Sequence, residues 1–249
     1  LEENPMKKVA EGFTILKRYG RIKNACWVLE NNGEAAIVEM PPFSRGEKPP
    51  WEKAKTYFKK NWIFPKYGLL THPHWDHCYT LPHFRAAFPQ TRFVVHDSFL
   101  HDNYFRYMMR NIRTVKGESL EMAGYRFFDD VFSGDIWRGD LGGEPLYIIY
   151  APKHSYGDML ILFKGGMITG DWYLGDLKDC NDLVNPHHKI INIDKTMRIV
   201  SQLDYNVHML FSGHGDALFY DADFYSIMEQ SKIDHNGHQP SLRAIYKTA

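Results

Sequence analysis

His72-Pro73-His74-Trp75-Asp76-His77 places four metal-competent side chains within six residues. It follows Tyr67-Gly68-Leu69-Leu70, which reads as a buried strand, at the point where the chain turns from sheet toward helix. Alternation in an extended segment points His72 and His74 the same way. The turn that follows can swing Asp76 and His77 to an adjacent position, so that one short loop, stiffened by Pro73, serves two ions about 3.5–4 Å apart. The plain alternative is a histidine-rich surface loop, and among 13 histidines no single one carries weight. What favours a metal site is the clustering, the buried strand before it and the partners that come later.

Those partners are His154 in Ala151-Pro152-Lys153-His154-Ser155-Tyr156-Gly157-Asp158, Asp171 in Thr169-Gly170-Asp171, and His214 in Phe211-Ser212-Gly213-His214-Gly215-Asp216. Each stands directly beyond an apolar strand, on a loop where a rigid sheet can present a ligand. A buried Asp171 needs a partner or a cation to offset its desolvation, and a metal pair supplies both. Imidazole and carboxylate suit zinc, iron or manganese, with no thiolate ligand unless Cys78 turns inward.

Outward from the cluster the periodicity sets the elements. Gly12–Leu16, Ala25–Leu29 and Ala35–Val38, the last after the turn Asn31-Asn32-Gly33, form an antiparallel meander. Pro41–Pro50 is a loop, Trp51–Trp62 a helix, and Leu81–Phe88 a short helix before the strand Phe93–Val95; that β-α-β order implies a parallel neighbour. Ser98–Arg113 reads as one helix packing into the core. A second block of strands covers Tyr125–Phe128, Leu146–Tyr150, Met159–Phe163 and Met167–Thr169, with Gly165-Gly166 as a hairpin turn. Ile193, Met197, Val200 and Leu203 repeat at helical spacing before a last strand, Val207–Phe211, and the polar residues 232–249 read as a loose tail. Strands and helices thus alternate in two similar halves of one domain spanning residues 1–249.

The 249 residues, 44% of them hydrophobic, suffice for a full core. The 30 basic and 30 acidic residues cancel, leaving no global field to draw in nucleic acid or an anionic membrane. No run of about 18 apolar residues appears, and Leu1–Lys8 is too polar for the apolar stretch of a signal peptide. Cys26, Cys78 and Cys180 show no pairing pattern, which fits a reducing compartment. The expectation is a cytoplasmic protein acting on a small molecule, with no nucleic-acid or membrane partner; oligomeric state is not indicated.

From about Asn24 to Asp216 the chain resembles the metallo-β-lactamase superfamily, the group that includes glyoxalase II, quorum-sensing lactonases and flavodiiron proteins. The resemblance centres on the His-x-His-x-Asp-His motif at His72–His77, followed in order by His, Asp and His. It implies an αββα four-layer sandwich in which His72, His74 and His154 bind one metal and Asp76, His77 and His214 a second, with Asp171 bridging. Three positions depart from the common pattern, all around the site: Glu39-Met40-Pro41 where a strand usually ends in aspartate and glycine, Tyr79 where glycine often follows the cluster, and Lys153 where many members have glycine.

Two divalent ions, zinc first with iron or manganese as alternatives, would make hydroxide from shared water at neutral pH and polarise a carbonyl or phosphoryl oxygen. The function expected is hydrolysis of a small ester, thioester or lactone, with Asp76 orienting the nucleophile. A bridging Asp171 in place of cysteine argues against a dedicated β-lactamase. Alternatives are a small-molecule phosphodiesterase, a non-haem di-iron protein that binds or reduces oxygen, and a binding protein that has lost turnover. The flavodiiron relatives usually carry glutamate where this chain has His74. Tyr173 is read as either donating a hydrogen bond to a substrate oxygen, as the likeness to lactonases suggests, or packing. Trp75 and Trp172 either wall the pocket or belong to the core, Asp158 and Asp216 either orient imidazoles or make turns, and His187-His188 reads as a surface pair in a loop.

Overall fold

The computed structural model describes residues 6–110, 126–172, 184–214 and 217–233. The first sheet takes its strands in chain order: β1 (Lys7–Ala10), β2 (Phe13–Tyr19), β3 (Asn24–Asn31), β4 (Glu34–Val38), β5 (Phe64–Leu69), β6 (Arg92–His96) and β7 (Asp130–Phe132). The meander β1–β4 is antiparallel, and β4, β5, β6 and β7 pair in parallel. The second sheet runs β8 (Ile136–Leu141), β9 (Glu144–Tyr150), β10 (Met159–Phe163), β11 (Gly166–Ile168), β12 (Met209–Phe211) and β13 (Leu218–Phe219), with β11 and β12 parallel.

Both faces of the second sheet are buried, which is why its strands read as continuous apolar runs. Along β10, Met159, Ile161 and Phe163 belong to one core cluster and Leu160 and Leu162 to another. The inner cluster lies between the sheets, where Phe13 of β2 meets Phe163 and Phe211 edge-on and Trp27 of β3 stacks on Phe211 at 5.5 Å. The outer cluster joins Leu160, Leu162, Met167 and Leu210 to Ile193 and Val200 of helix α6 (Pro186–Gln202) and Ile227 and Met228 of α7 (Phe224–Ile233). Helices α1 (Pro50–Asn61), α2 (Trp75–Cys78), α3 (Leu81–Ala87), α4 (Asp97–His101) and α5 (Asn103–Arg110) accompany the first sheet, with Phe58, Phe84, Phe88, Phe99 and Phe105 buried. The order of layers is helices, sheet, sheet, helices.

Several elements differ from the sequence reading. The helix expected over Ser98–Arg113 breaks at Asp102, whose backbone is extended, so α4 and α5 are separate; residues 111–113 lie outside the described part. The strand placed at Tyr125–Phe128 falls instead at Asp130–Phe132, Arg126–Phe128 forming a turn that buries Phe128 and Tyr125 lying outside the described residues. Strand β8 is absent from the sequence reading, because Arg138, Gly139 and Asp140 dilute its β-propensity. The β10–β11 hairpin turns at Lys164-Gly165, with φ of 42° and 73°, and Gly166 already belongs to the strand. The tail does not begin at Lys232: Lys232 and Ile233 close α7, and residues 234–249 lie outside the described part.

Candidate metal centre

The expected ligand residues all stand at the carboxyl ends of strands. His72, His74, Asp76 and His77 follow β5, His154 follows β9, Asp171 follows β11 and His214 follows β12. The two sheets are stitched together where these ends meet. Met159 N–H donates to the Thr71 carbonyl at 2.6 Å, Ala25 N–H to Gly213 at 2.9 Å and Gly213 N–H to Gly170 at 2.8 Å. His214 also forms a β-bridge with Asn24.

Two groups of potential ligand atoms result, each within 4.8 Å: His72, His74, His154 and Asp171 in one, and Asp76, His77, His214 and Asp171 in the other. Asp171 is shared. Its Oδ2 lies 3.6 Å from His72 Nε2, 3.8 Å from His154 Nε2 and 3.0 Å from His214 Nε2, and its Oδ1 lies 3.2 Å from His77 Nε2. His154 Nε2 is 2.9 Å from His74 Nδ1, His77 Nε2 is 3.2 Å from His214 Nε2, and Asp76 Oδ2 is 3.5 Å from both of the latter. Atoms bound to one tetrahedral cation at about 2.0–2.1 Å are roughly 3.3 Å apart, so these spacings suit a shared ion. The buried Nε2 of His72, which faces Asp171, makes no hydrogen bond within the protein. The residues present therefore fit a pair of cations.

Burial and the neighbouring imidazole of His77 hold His72 well below the ordinary histidine range, and burial with His154 holds His74 down at about 4. Both rings are accordingly neutral at pH 7, the form that coordinates. For His77 burial opposes the charged form, but Asp171, Asp76 and Glu39 outweigh it and raise the ring well above its ordinary value. Burial likewise works against ionised Asp171, and His77 and His72 overcome it.

The supporting contacts explain how each loop holds its ligand. Asp158 Oδ2 accepts from the backbone N–H groups of Lys153, His154 and Ser155 at 2.8, 2.5 and 2.9 Å. It thus fixes the loop that carries His154, and its hydrogen bonds go to backbone and to Ser155 rather than to an imidazole. Asn24 Nδ2 donates to the Asp76 carbonyl at 2.5 Å and to Asp76 Oδ2 at 3.2 Å. His214 Nδ1 sits 3.0 Å from the Ile22 carbonyl, which orients that ring from behind. Gly213 and Gly170 let the backbone close in: a Cβ at Gly213 would lie 2.9 Å from His77 Cε1, and one at Gly170, whose φ is +60°, would lie 2.5 Å from Thr71 Oγ1.

Lys153 is wholly buried, its ammonium donating to the Ala151 carbonyl at 3.2 Å and lying 5.1 Å from the ring centre of Trp172. Trp172 is core, whereas Trp75 is 52% exposed and stands at the rim. His187 and His188 are exposed as read, but they form the first turn of α6 rather than a loop, with Asn185 capping the helix. Tyr173 and Asp216 lie outside the described residues. Sequence reasoning assigned no role to Asn24, Thr71 or Glu39, each a buried polar side chain next to a ligand. The available signal was a polar residue at the end of an otherwise apolar strand.

The family model for the metallo-beta-lactamase superfamily matches residues 20–171, well over half of the chain. The chain belongs to the metallo-beta-lactamase superfamily. Proteins of this superfamily are typically metal-dependent hydrolases, and the His/Asp groups above are able to hold metal. Among solved structures, DIM-1 metallo-beta-lactamase superposes with a TM-score of 0.66 at 14% identity, covering 93% of this chain and 96% of that one. A metallo-beta-lactamase family protein from Thermus thermophilus gives 0.60 at 16% identity, over 92% and 80%. An archaeal superfamily protein from Sulfolobus tokodaii gives 0.60 at 14% identity, over 94% and 93%. At these identities the likeness establishes the fold. No curated protein sequence matches the chain. Among the described residues no helix is long and apolar enough to cross a membrane.

Proposed function

We propose that this metallo-beta-lactamase-fold chain is a dinuclear metal-dependent hydrolase of a small ester, thioester or lactone. The observation that carries the reading is the convergence of His72, His74 and His154 on one side of Asp171, and of Asp76, His77 and His214 on the other. His72, His74, His154 and Asp171 are assigned to one cation, and Asp76, His77, His214 and Asp171 to a second, zinc being the first choice for five imidazoles and two carboxylates. Bound there, two such cations supply Lewis acidity and a water acidic enough to ionise near neutral pH.

The chain's own contribution is placement. Asp171 holds both groups at a fixed separation, and Asp76, anchored by Asn24, offers a carboxylate oxygen to accept a proton from an attacking water and aim its lone pair at the substrate carbonyl. No side-chain nucleophile is needed. Trp75, between His74 and Asp76, and Tyr156, two residues after His154, are about half exposed on the ligand loops. They supply aromatic faces for the apolar part of a small acyl substrate.

The test is metal analysis of protein purified without added metal, combined with a panel of thioesters, lactones, phosphodiesters and β-lactams. About two metals per chain are expected, with hydrolysis of one of the first two classes. Asp171→Ala and His77→Ala are expected to lower that hydrolysis at least a thousandfold, the scale on which losing a ligand disables a catalytic metal. Hydrolysis that persists in metal-free protein would refute the reading.

A further inference from the structure

Glu39 lies directly after β4, is completely buried, and has a left-handed backbone with φ of 68°. A non-glycine residue pays for that conformation, and such strain persists where surrounding contacts impose it. Here the contacts run to the ligand loop. Glu39 N–H donates to the Leu69 carbonyl at 3.1 Å, and Met40 N–H to the His77 carbonyl at 2.7 Å.

The side chain continues the same connection. Glu39 Oε1 lies 3.3 Å from His77 Nδ1 and also accepts a hydrogen bond from Thr71 Oγ1. Thr71 Oγ1 in turn lies 3.0 Å from His72 Nδ1. In both rings Nε2 is the nitrogen facing Asp171, so Nδ1 carries the proton. Directions are then consistent throughout: His77 Nδ1–H donates to Glu39, His72 Nδ1–H donates to Thr71, and the Thr71 hydroxyl donates to Glu39. One buried carboxylate therefore reaches an imidazole from each ligand group, one directly and one through a hydroxyl.

We propose that Glu39 is the positioning residue that orients His72 and His77 together, tying the two cation positions to one carboxylate. The inference rests on the dinuclear reading above. Glu39, His72 and His77 also fall within 4.8 Å of one another, but the Thr71 hydroxyl bridges Glu39 and His72, so this arrangement is an orienting network rather than a third cation position. Partners behind a ligating histidine fix its tautomer and typically govern metal affinity by about 10–100-fold.

The experiment measures zinc stoichiometry and stepwise affinity by chelator competition in wild type, Glu39→Gln, Glu39→Asp and Thr71→Val, with ring N–H signals of the zinc-loaded proteins read by NMR. Wild type is expected to bind two zinc ions and to show slowly exchanging Nδ1–H signals from His72 and His77. Glu39→Gln is expected to weaken both positions about 10–100-fold and shift both signals, with Glu39→Asp recovering part of the affinity. Thr71→Val, which keeps shape and removes only the relay, is expected to weaken one position and shift the His72 signal alone, and it serves as the decisive variant should Glu39→Gln not fold. Unchanged affinities and signals in Glu39→Gln, or in Thr71→Val, overturn the role of Glu39, as does a third zinc in wild type that is lost in Glu39→Gln. A wild type that takes up no zinc, iron or manganese instead overturns the dinuclear reading beneath it.

Discussion

Gly213 shows how little space the centre leaves around its ligands. A methyl group there would sit 2.9 Å from His77 Cε1 and 3.2 Å from Gly170 Cα, and neither neighbour is a flexible side-chain tip. Gly213→Ala should cost about 1–3 kcal/mol of stability by overpacking and should lower metal content by displacing His77, as thermal denaturation and metal analysis would show. Trp75 is the opposite case, since its 52% exposure leaves little packing to lose. Trp75→Ala is expected to leave Tm within about 1–2 °C of wild type, because exposed substitutions usually stay within ±0.5 kcal/mol. It should raise KM severalfold; an unchanged KM would remove Trp75 from the substrate site. The seven ligands were legible because metal chemistry restricts residue type and strand ends restrict position. Asn24, Thr71 and Glu39 were not, since what distinguishes them is a neighbour brought in from 52, 1 and 38 positions away, and a polar residue at a strand end is otherwise an ordinary turn former.

At the level of elements, strands with both faces buried were read well and short or mixed ones poorly. β10 and β9 announce themselves by unbroken apolar runs, whereas Asp130–Phe132 is too short to outscore the more apolar Phe127-Phe128 just before it. The short β7 is secured in another way. Asp129, next to it, accepts two hydrogen bonds from Arg85 of α3 and one from Phe93 N–H of β6, at 2.9 Å. Burial alone would raise the Asp129 carboxyl, but the bonds from Arg85 and Phe93 outweigh it and hold the group below its ordinary value. A carboxyl with a depressed folded-state value stabilises the fold fully above the unfolded value, about 3.9, and loses that contribution as pH falls through the folded value. Asp129→Asn should therefore cost about 1–2 kcal/mol at pH 7, with the gap from wild type closing as pH is taken below about 4. Urea denaturation at several pH values measures this, and a gap constant down to pH 3 would contradict it. Asp158 should matter more. Asp158→Ala removes the acceptor from three backbone N–H groups in the His154 loop, and is expected to cost about 3 kcal/mol while weakening the cation position served by His154.

On the scale of the molecule, stability and the centre draw on different parts of the same sandwich. The aromatic interlock of Phe13, Trp27, Phe163 and Phe211 holds the sheets together from within, and the ligands sit beyond the strand ends, contributed by β5 of one sheet and β9, β11 and β12 of the other. Layer order was legible from the alternation of strands and helices, but the meeting of the two sheets at one edge follows from pairings more than 100 residues apart, such as Ala25 with Gly213, which periodicity does not encode. Cations at such a junction bind the folded chain and not the unfolded one, so they add about 2.7 kcal/mol per site at a free concentration of 100 times Kd. For a chain of this length each kcal/mol raises Tm by about 2–4 °C, so zinc should raise Tm over chelator-treated protein by roughly 5–10 °C for each position filled. Phe211→Ala should cost about 3–5 kcal/mol and lower both curves together, leaving the zinc-dependent increment intact. His77→Ala should abolish much of the increment, because Nε2 of His77 lies within reach of Asp76, His214 and Asp171 alike. Scanning calorimetry of the three proteins with zinc and with chelator separates the two contributions, and an increment surviving in His77→Ala at full size would show that zinc stabilises the protein from somewhere else.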